Sequence, residues 1–418
     1  MRGTIDVEIL PLKETSEHVF IRAKVRGHPL GRKRNRKLFL EIPAHLRDWL
    51  PIRDRADDLH DALARAMVFP GMEAKLPVVI HGRVSQSLLE NLVKYQEVIS
   101  RAMPQYQPVE IRADEIVSAP SSPVARVNHT EAILGFSGGM DSIYSLYIHQ
   151  TGQGTGDGLR IPDCVFVHGF DIPLQDRAYQ KAFASARQIT DALGSRLFPL
   201  RTNLKKLLPF WPHSHGAALG TVLSLFERRH TAGLIAASYA EDNPFSLSSG
   251  VGSTPQTDPL LSSNTFQIIH DTGVSRVQKS TILQSFEAGR KNLRVCWSGD
   301  DLSSNCGLCS KCVSQMAALK AAGVDDLSAF KHPLTLENIL RIDLSTPAFL
   351  YSWRSAIAFA EKHGRGAHEI FQAMRQRADE CEQMLAAGQI PGAVPARPPG
   401  WFARLTRRLR GCTPEQNQ

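Results

Sequence analysis

From residue 131 onward, short apolar runs alternate with longer amphipathic ones, and that alternation leaves the chain few folds. The runs at 133–136, 164–167, 196–200 and 234–237 have the length and apolar continuity of strands buried on both faces. The stretches between them, 141–149, 175–193 and 215–227, carry helical spacing. A helix between two strands carries the chain back along the sheet, so the strands pair in parallel instead of as hairpins. The pattern predicts an α/β fold with a doubly wound parallel sheet, whose ligands bind outside the carboxyl ends of the strands.

The first of these strands runs directly into a turn: residues 133–142 read ILGFSGGMDS. Gly138 and Gly139 let the backbone turn sharply and bring amide groups close to an anion. The helix that starts there adds N–H donors and the positive end of a dipole. The hydroxyls of Ser137 and Ser142 can donate to phosphate oxygens, and Asp141 can hold a Mg²⁺ that bridges them. Ser137, Gly138, Gly139, Met140, Asp141 and Ser142 thus form a candidate nucleotide loop. It is not a Walker A loop, because the G-x-x-x-x-G-K pattern is absent. An ordinary strand–turn–helix with an Asp–Ser cap has similar composition; the complete six-residue string behind a buried strand favours the phosphate loop.

Four of the seven cysteines fall within 17 residues, as Cys296, Cys306, Cys309 and Cys312, spaced C-x9-C-x2-C-x2-C. Clustering of this kind points to metal instead of a disulfide framework. Zn²⁺ takes four soft ligands in a tetrahedron, and four thiolates leave no position for water, so the expected site is structural. Redox chemistry and an iron–sulfur cluster are the alternatives. Cys164, in an apolar strand, reads as an inert core thiol.

Residues 1–117 read as a small α+β domain that binds a partner or substrate. Its expected strands are at 5–10, 18–25, 37–42, 76–81 and 109–111, and its helices at 55–68 and 85–103. The Ser- and Pro-rich stretch 118–130 is a linker, 131–292 the nucleotide domain, and 293–322 the cysteine segment. Residues 323–390 form a helical region with a long stretch at 348–385, and 391–418 a basic disordered tail. The net charge of +8 concentrates in two places: five cations at 31–37, and five arginines against one glutamate at 397–418. Solvated charge runs explain both; no aromatic residue interleaves the first run, which weakens a nucleic-acid reading without closing it. No apolar run spans 18 residues and the N-terminus lacks a secretory h-region, so a cytoplasmic protein with no membrane span is expected.

SGGMDS resembles the S-G-G-x-D-S loop of the N-type ATP pyrophosphatase (PP-loop) superfamily. Those enzymes cleave ATP between the α and β phosphates, leave AMP on the substrate and release pyrophosphate. The resemblance implies that Ser137, Gly138, Gly139, Asp141 and Ser142 bind pyrophosphate with its Mg²⁺, and that Val167, His168, Gly169 and Phe170 lie near adenine. Taken with the cysteines, the chain resembles the 7-cyano-7-deazaguanine synthase (QueC) family. In that family ATP adenylates the carboxylate of 7-carboxy-7-deazaguanine, ammonia gives an amide, a second activation gives a nitrile, and zinc is structural. The resemblance implies that Ser253, Thr254 and Asp258 in the loop 252–259 hydrogen-bond a deazapurine-like base; a plain polar loop fits them as well. It makes Lys279, with Arg276 as a second cation, the group that neutralises phosphate, and Asp141, Ser137 and Lys279 the catalytic set. A solvated Lys/Arg pair is the alternative for the two cations. His213 and His215 are open to substrate contact or to helix capping.

The resemblance covers residues 131–322, with 1–130 before it and 323–418 after it. Elongated chains of this kind resemble the QueC-like proteins of anti-phage defence operons. There the acyl group is joined to a protein amine, and residues 1–117 would bind that acceptor. Two other enzyme readings remain: a nitrile-forming synthase, and a PP-loop tRNA sulfur-transferase, which needs a sulfur-carrying cysteine near the loop. A nucleotide-sensing scaffold is a non-enzymatic reading, against which the intact loop argues. Oligomeric state is not legible.

Overall fold

The computed structural model describes residues 3–27, 36–52, 58–118, 131–153, 158–240, 252–271, 273–297 and 302–389. Most of the basic run at 31–37, the linker from 119 to 130 and the tail 391–418 lie outside them. The chain divides into two compact units, Met1–Gly273 and Val274–Gln418.

The first unit is built on a ten-stranded sheet. Its strands are β1 (Ile5–Glu14), β2 (His18–Arg26), β3 (Arg36–Pro43), β4 (Val78–Ser85), β5 (Ile111–Val117), β6 (Glu131–Gly135), β7 (Arg160–His168), β8 (Arg196–Thr202), β9 (Ala232–Ile235) and β10 (Gln267–His270). They lie in the order β10-β9-β6-β7-β8-β3-β2-β1-β4-β5. Pairing is parallel from β10 to β8 and again from β1 through β4 to β5, and antiparallel from β8 through β3 and β2 to β1. Among β6–β10 the order reverses at β6, with β7 on one side and β9 on the other. That is the switch point at which open α/β sheets leave a crevice.

The strands expected at 1–117 and those beyond 131 belong to one sheet, joined where β3 meets β8 at Leu40↔Thr202 and Glu41↔Arg201. Asn203, just past β8, extends the seam: its Oδ1 accepts from the Phe39 amide at 2.9 Å and its Nδ2 donates to the Lys37 carbonyl at 2.7 Å. Alternation in β3 sends Leu38, Leu40 and Ile42 into the core. Trp49 packs edge-on against Phe198 and Phe226 at 5.4 and 6.4 Å, so the same core serves both halves of the sheet.

Two expected helices differ. The one expected at 55–68 is Asp61–Ala74: it continues through Pro70 and ends at Lys75 in the left-handed region, φ 57°. FPG at 69–71 looks like a stop, but Pro70 and Gly71 are buried in the packed helix. In the second unit the stretch 348–385 is two helices, Pro347–Lys362 and Glu369–Ala386. The second is capped by the His368 side chain, which accepts from the Ile370 amide. This unit also holds Ser310–Ala321, and its core includes Val313, Ala317, Ile339, Trp353, Phe371 and Met374. No helix among the described residues is long and apolar enough to cross a membrane.

Candidate nucleotide loop and metal centre

Ala132, Ile133 and Leu134 bury β6 at the middle of the parallel strands, and the Phe136 amide still bonds to the Val165 carbonyl at 2.9 Å. The chain then turns through Gly138 at φ 71°, a backbone shape that side chains resist. Gly139 is the N-cap of the helix Met140–Gln150 and makes no side-chain cap bond, so the first-turn amides are served by no capping residue. Ser137 and Ser142 face each other across the turn with their oxygens 3.4 Å apart. The Ser142 hydroxyl donates to the Gly139 carbonyl at 3.1 Å and accepts from the Ser137 amide at 3.3 Å. The Ser137 oxygen accepts from the Gly139 amide at 3.2 Å. These bonds are long for hydroxyls, and Ser137 is exposed. Asp141 is half-buried in the first helical turn, while Met140 turns into the core. Near the helix's far end His149 Nε2 lies 3.1 Å from Asp271 Oδ1, tying this helix to the end of β10.

Val167 and His168 end β7 and Gly169 follows in the turn, at the carboxyl end of the same sheet. The His168 ring stacks on Tyr179 at 4.1 Å, and its Nε2 lies 3.0 Å from the Pro173 carbonyl. Burial lowers its pKa, so the ring is held as a neutral wall of the turn. Close by in sequence, Phe170 packs on Trp211 at 4.8 Å, and Lys205 donates to the Phe170 carbonyl at 2.8 Å.

The loop 252–258 has a different character. Ser253, Thr254, Thr257 and Asp258 are buried. The Ser253 hydroxyl donates to Asp258 Oδ2 at 2.6 Å, and the Thr254 and Thr257 hydroxyls bond each other at 2.9 Å. The loop is pressed against the helix Trp211–Leu223: a Cβ on Gly216 would come within 2.1 Å of the Gly252 carbonyl oxygen. His270, the last residue of β10, brings Nδ1 to 2.7 Å from Asp258 Oδ2. Nothing in the sequence singled out His270, a lone histidine closing a four-residue strand. His215, on the same helix as Gly216, is half-buried and has a lowered pKa through burial, against the pull of Asp258. The structure thus gathers Ser137–Gly139, Asp141, Ser142, Val167–Gly169 and the 252–258 loop in the first unit. Arg276 and Lys279 belong to the second, in the short helix Arg276–Ser280, with Lys279 buried.

The four cysteines come together in the second unit, their sulfurs all within 4.8 Å of one another. Four Zn–S bonds of about 2.3 Å in a tetrahedron put sulfurs roughly 3.8 Å apart; Cys306 Sγ and Cys312 Sγ are 3.8 Å apart. Amides of Leu308 and Cys309 donate to Cys306 Sγ at 3.4 and 3.3 Å, and that of Cys306 to Cys296 Sγ at 3.4 Å, as suits sulfurs carrying negative charge. Without a cation the cluster resists ionisation: the hydrogen bond with Cys296 chiefly pushes Cys309 up to about 11. The residues therefore fit a metal ion such as zinc.

No protein-family model, curated protein or solved structure matches this chain.

Proposed function

We propose that this chain is an ATP-dependent ligase that adenylates a carboxylate at the 137–142 loop, releases pyrophosphate and passes the acyl group to an amine. The observation that carries this reading is the loop itself: a helix start with no capping side chain, flanked by two serine hydroxyls, at the carboxyl end of the strand where the sheet order reverses.

A carboxylate is a poor electrophile because oxide is a poor leaving group; adenylation makes AMP the group that leaves. Loop amides and the Ser137 and Ser142 hydroxyls stabilise the charge on departing pyrophosphate. Mg²⁺, when bound, neutralises the phosphate oxygens, and Asp141 is the side chain in the loop suited to hold it. Lys279 and Arg276 lie in the second unit, and a phosphate-neutralising role for them rests on the family resemblance alone. The neutral His168 and its turn border the adenine side. Cys296, Cys306, Cys309 and Cys312 hold zinc as a structural clip, since four thiolates leave no position open. The resemblance to the QueC family supports 7-carboxy-7-deazaguanine as the acid. The added residues 1–117 support a protein amine as acceptor, as in the anti-phage QueC-like proteins, over a free nitrile. The sulfur-transferase reading loses ground on Cys164, which is fully buried with its thiol pushed well up by burial.

The test is product analysis of the full chain with Mg-ATP, 7-carboxy-7-deazaguanine and ammonium. AMP, pyrophosphate and a new amide or nitrile mass are expected. Absence of AMP with this acid and with a panel of other carboxylates and protein acceptors would remove the reading.

A further inference from the structure

Asp258 is fully buried, and its Oδ2 receives both polar partners, the Ser253 hydroxyl and His270 Nδ1. Its Oδ1, also buried, has no hydrogen-bond partner among the described residues. An unsatisfied buried oxygen costs free energy, and Oδ2 offsets part of that cost by bonding both the imidazole and the Ser253 hydroxyl. A carboxylate accepts only, so the ring nitrogen facing it carries the proton. His270 is therefore fixed as the Nδ1–H tautomer with a basic Nε2 at the other end of the ring. Nε2 has no hydrogen-bond partner among the described residues, and the side chain is 8% exposed.

Register places this imidazole beside the switch point. His270 is level with Ile235 of β9, and the neighbouring Leu234 is level with Leu134 of β6, which leads through Gly135 and Phe136 into Ser137. His270 therefore closes its strand at the same end of the sheet as the nucleotide loop, two strands across, or about 10 Å. Successive side chains alternate between faces, so His270 turns towards Asp258 and the helix Trp211–Leu223, while Asp271 turns to His149 on the loop helix. Two other titratable groups sense the dyad: His215, whose pKa burial lowers against a smaller upward pull from Asp258, and Tyr95, whose hydroxyl pKa is raised chiefly by burial and further by Asp258.

We propose that His270, oriented by Asp258, is the general base for the second half of the reaction, in which an amine opens the acyl adenylate. The inference rests on the proposed adenylation. In that step the amine nitrogen's lone pair attacks the acyl carbon and a C–N bond forms. The C–O bond to AMP breaks and its electron pair leaves on the AMP oxygen. The proton shed by the amine passes to His270 Nε2. Asp258 is a positioning residue: it fixes the tautomer and stabilises the imidazolium, and Ser253 in turn holds Asp258.

The two half-reactions separate this inference from the reading beneath it. ATP–pyrophosphate exchange, with 7-carboxy-7-deazaguanine as the acid, reports adenylation alone; amide formation with ammonium reports both halves. His270→Gln is expected to slow amide formation by about 100-fold or more, the usual contribution of a general base. Its exchange rate should fall far less, and the base limb of the pH–rate profile should vanish. Asp258→Asn is expected to give the same split without removing the imidazole, because an amide can donate to Nδ1 and force the tautomer whose Nε2 already carries a proton. Amide formation by either variant at the wild-type rate and pH profile overturns the assignment, as does loss of exchange and transfer in equal measure. Wild-type protein that shows no exchange removes the adenylation reading instead.

Discussion

Two loops of nearly the same composition behave in opposite ways. Residues 137–142 and 252–258 both mix Gly, Ser or Thr with one Asp. In the first, Ser137 is exposed, hydroxyl bonds run from 3.1 to 3.4 Å, and the helix start has no side-chain cap. In the second, Ser253 and Asp258 close on each other at 2.6 Å, and the loop backbone is pressed against a helix through Gly216 and Gly252. The first leaves Ser137 exposed and its internal bonds long; the second closes its polar groups on one another and on His270. Composition marks a polar loop, but only the packing around it says whether its polar groups are open to a ligand.

The largest effect is expected from a third cluster, the four cysteines that could hold a metal ion. Cys309→Ser removes one of four thiolates, and the chain should lose its metal and become insoluble, with the second unit unfolding first by hydrogen exchange. A folded, metal-replete variant would show that the cluster is not a structural centre. Next comes the open loop. Asp141→Asn should lower ATP turnover by at least about 100-fold, or roughly 3 kcal/mol of lost charge stabilisation. Metal content by elemental analysis should stay at the wild-type level, and wild-type turnover in the variant would break the assignment of the loop. In the closed loop, Ser253→Ala takes a partner from buried Asp258 and should cost about 1–3 kcal/mol of stability in denaturant melts. It should leave exchange nearly intact; a collapse of ATP binding with unchanged stability would mean the two loops are alike after all. The smallest effect is expected from Gly138→Ala, which forces a side chain into the left-handed region at φ 71°. The strain is about 1–2 kcal/mol, read as a modest drop in melting temperature with weaker nucleotide binding.

Much of this was legible in the sequence for local reasons. Strands β6 to β9 announce themselves by buried apolar runs, the glycine turn by its glycines, and the cysteine cluster by its spacing. What was not legible is non-local. The β3–β8 seam depends on Asn203 reaching Phe39 and Lys37, residues far apart in sequence, so residues 1–117 read as a separate body. β10 is four residues, QIIH, too short to carry a periodic signal. β5 was caught only at its first residue, by the strand expected at 109–111: it is half-exposed or exposed along its length, and IRADEIV lacks a clean apolar face. His270 draws its meaning from Asp258, twelve residues earlier, and no spacing rule links a strand-end histidine to a carboxylate in a preceding loop.

The central claim concerns where ATP breaks. Phosphorus NMR of the full chain with Mg-ATP and the deazapurine acid reads this directly from the products. Cleavage between the α and β phosphates, giving AMP and pyrophosphate in equal amounts only when the acid is present, is the expected result. ADP and inorganic phosphate, or AMP formed at the same rate without any carboxylate, would contradict it.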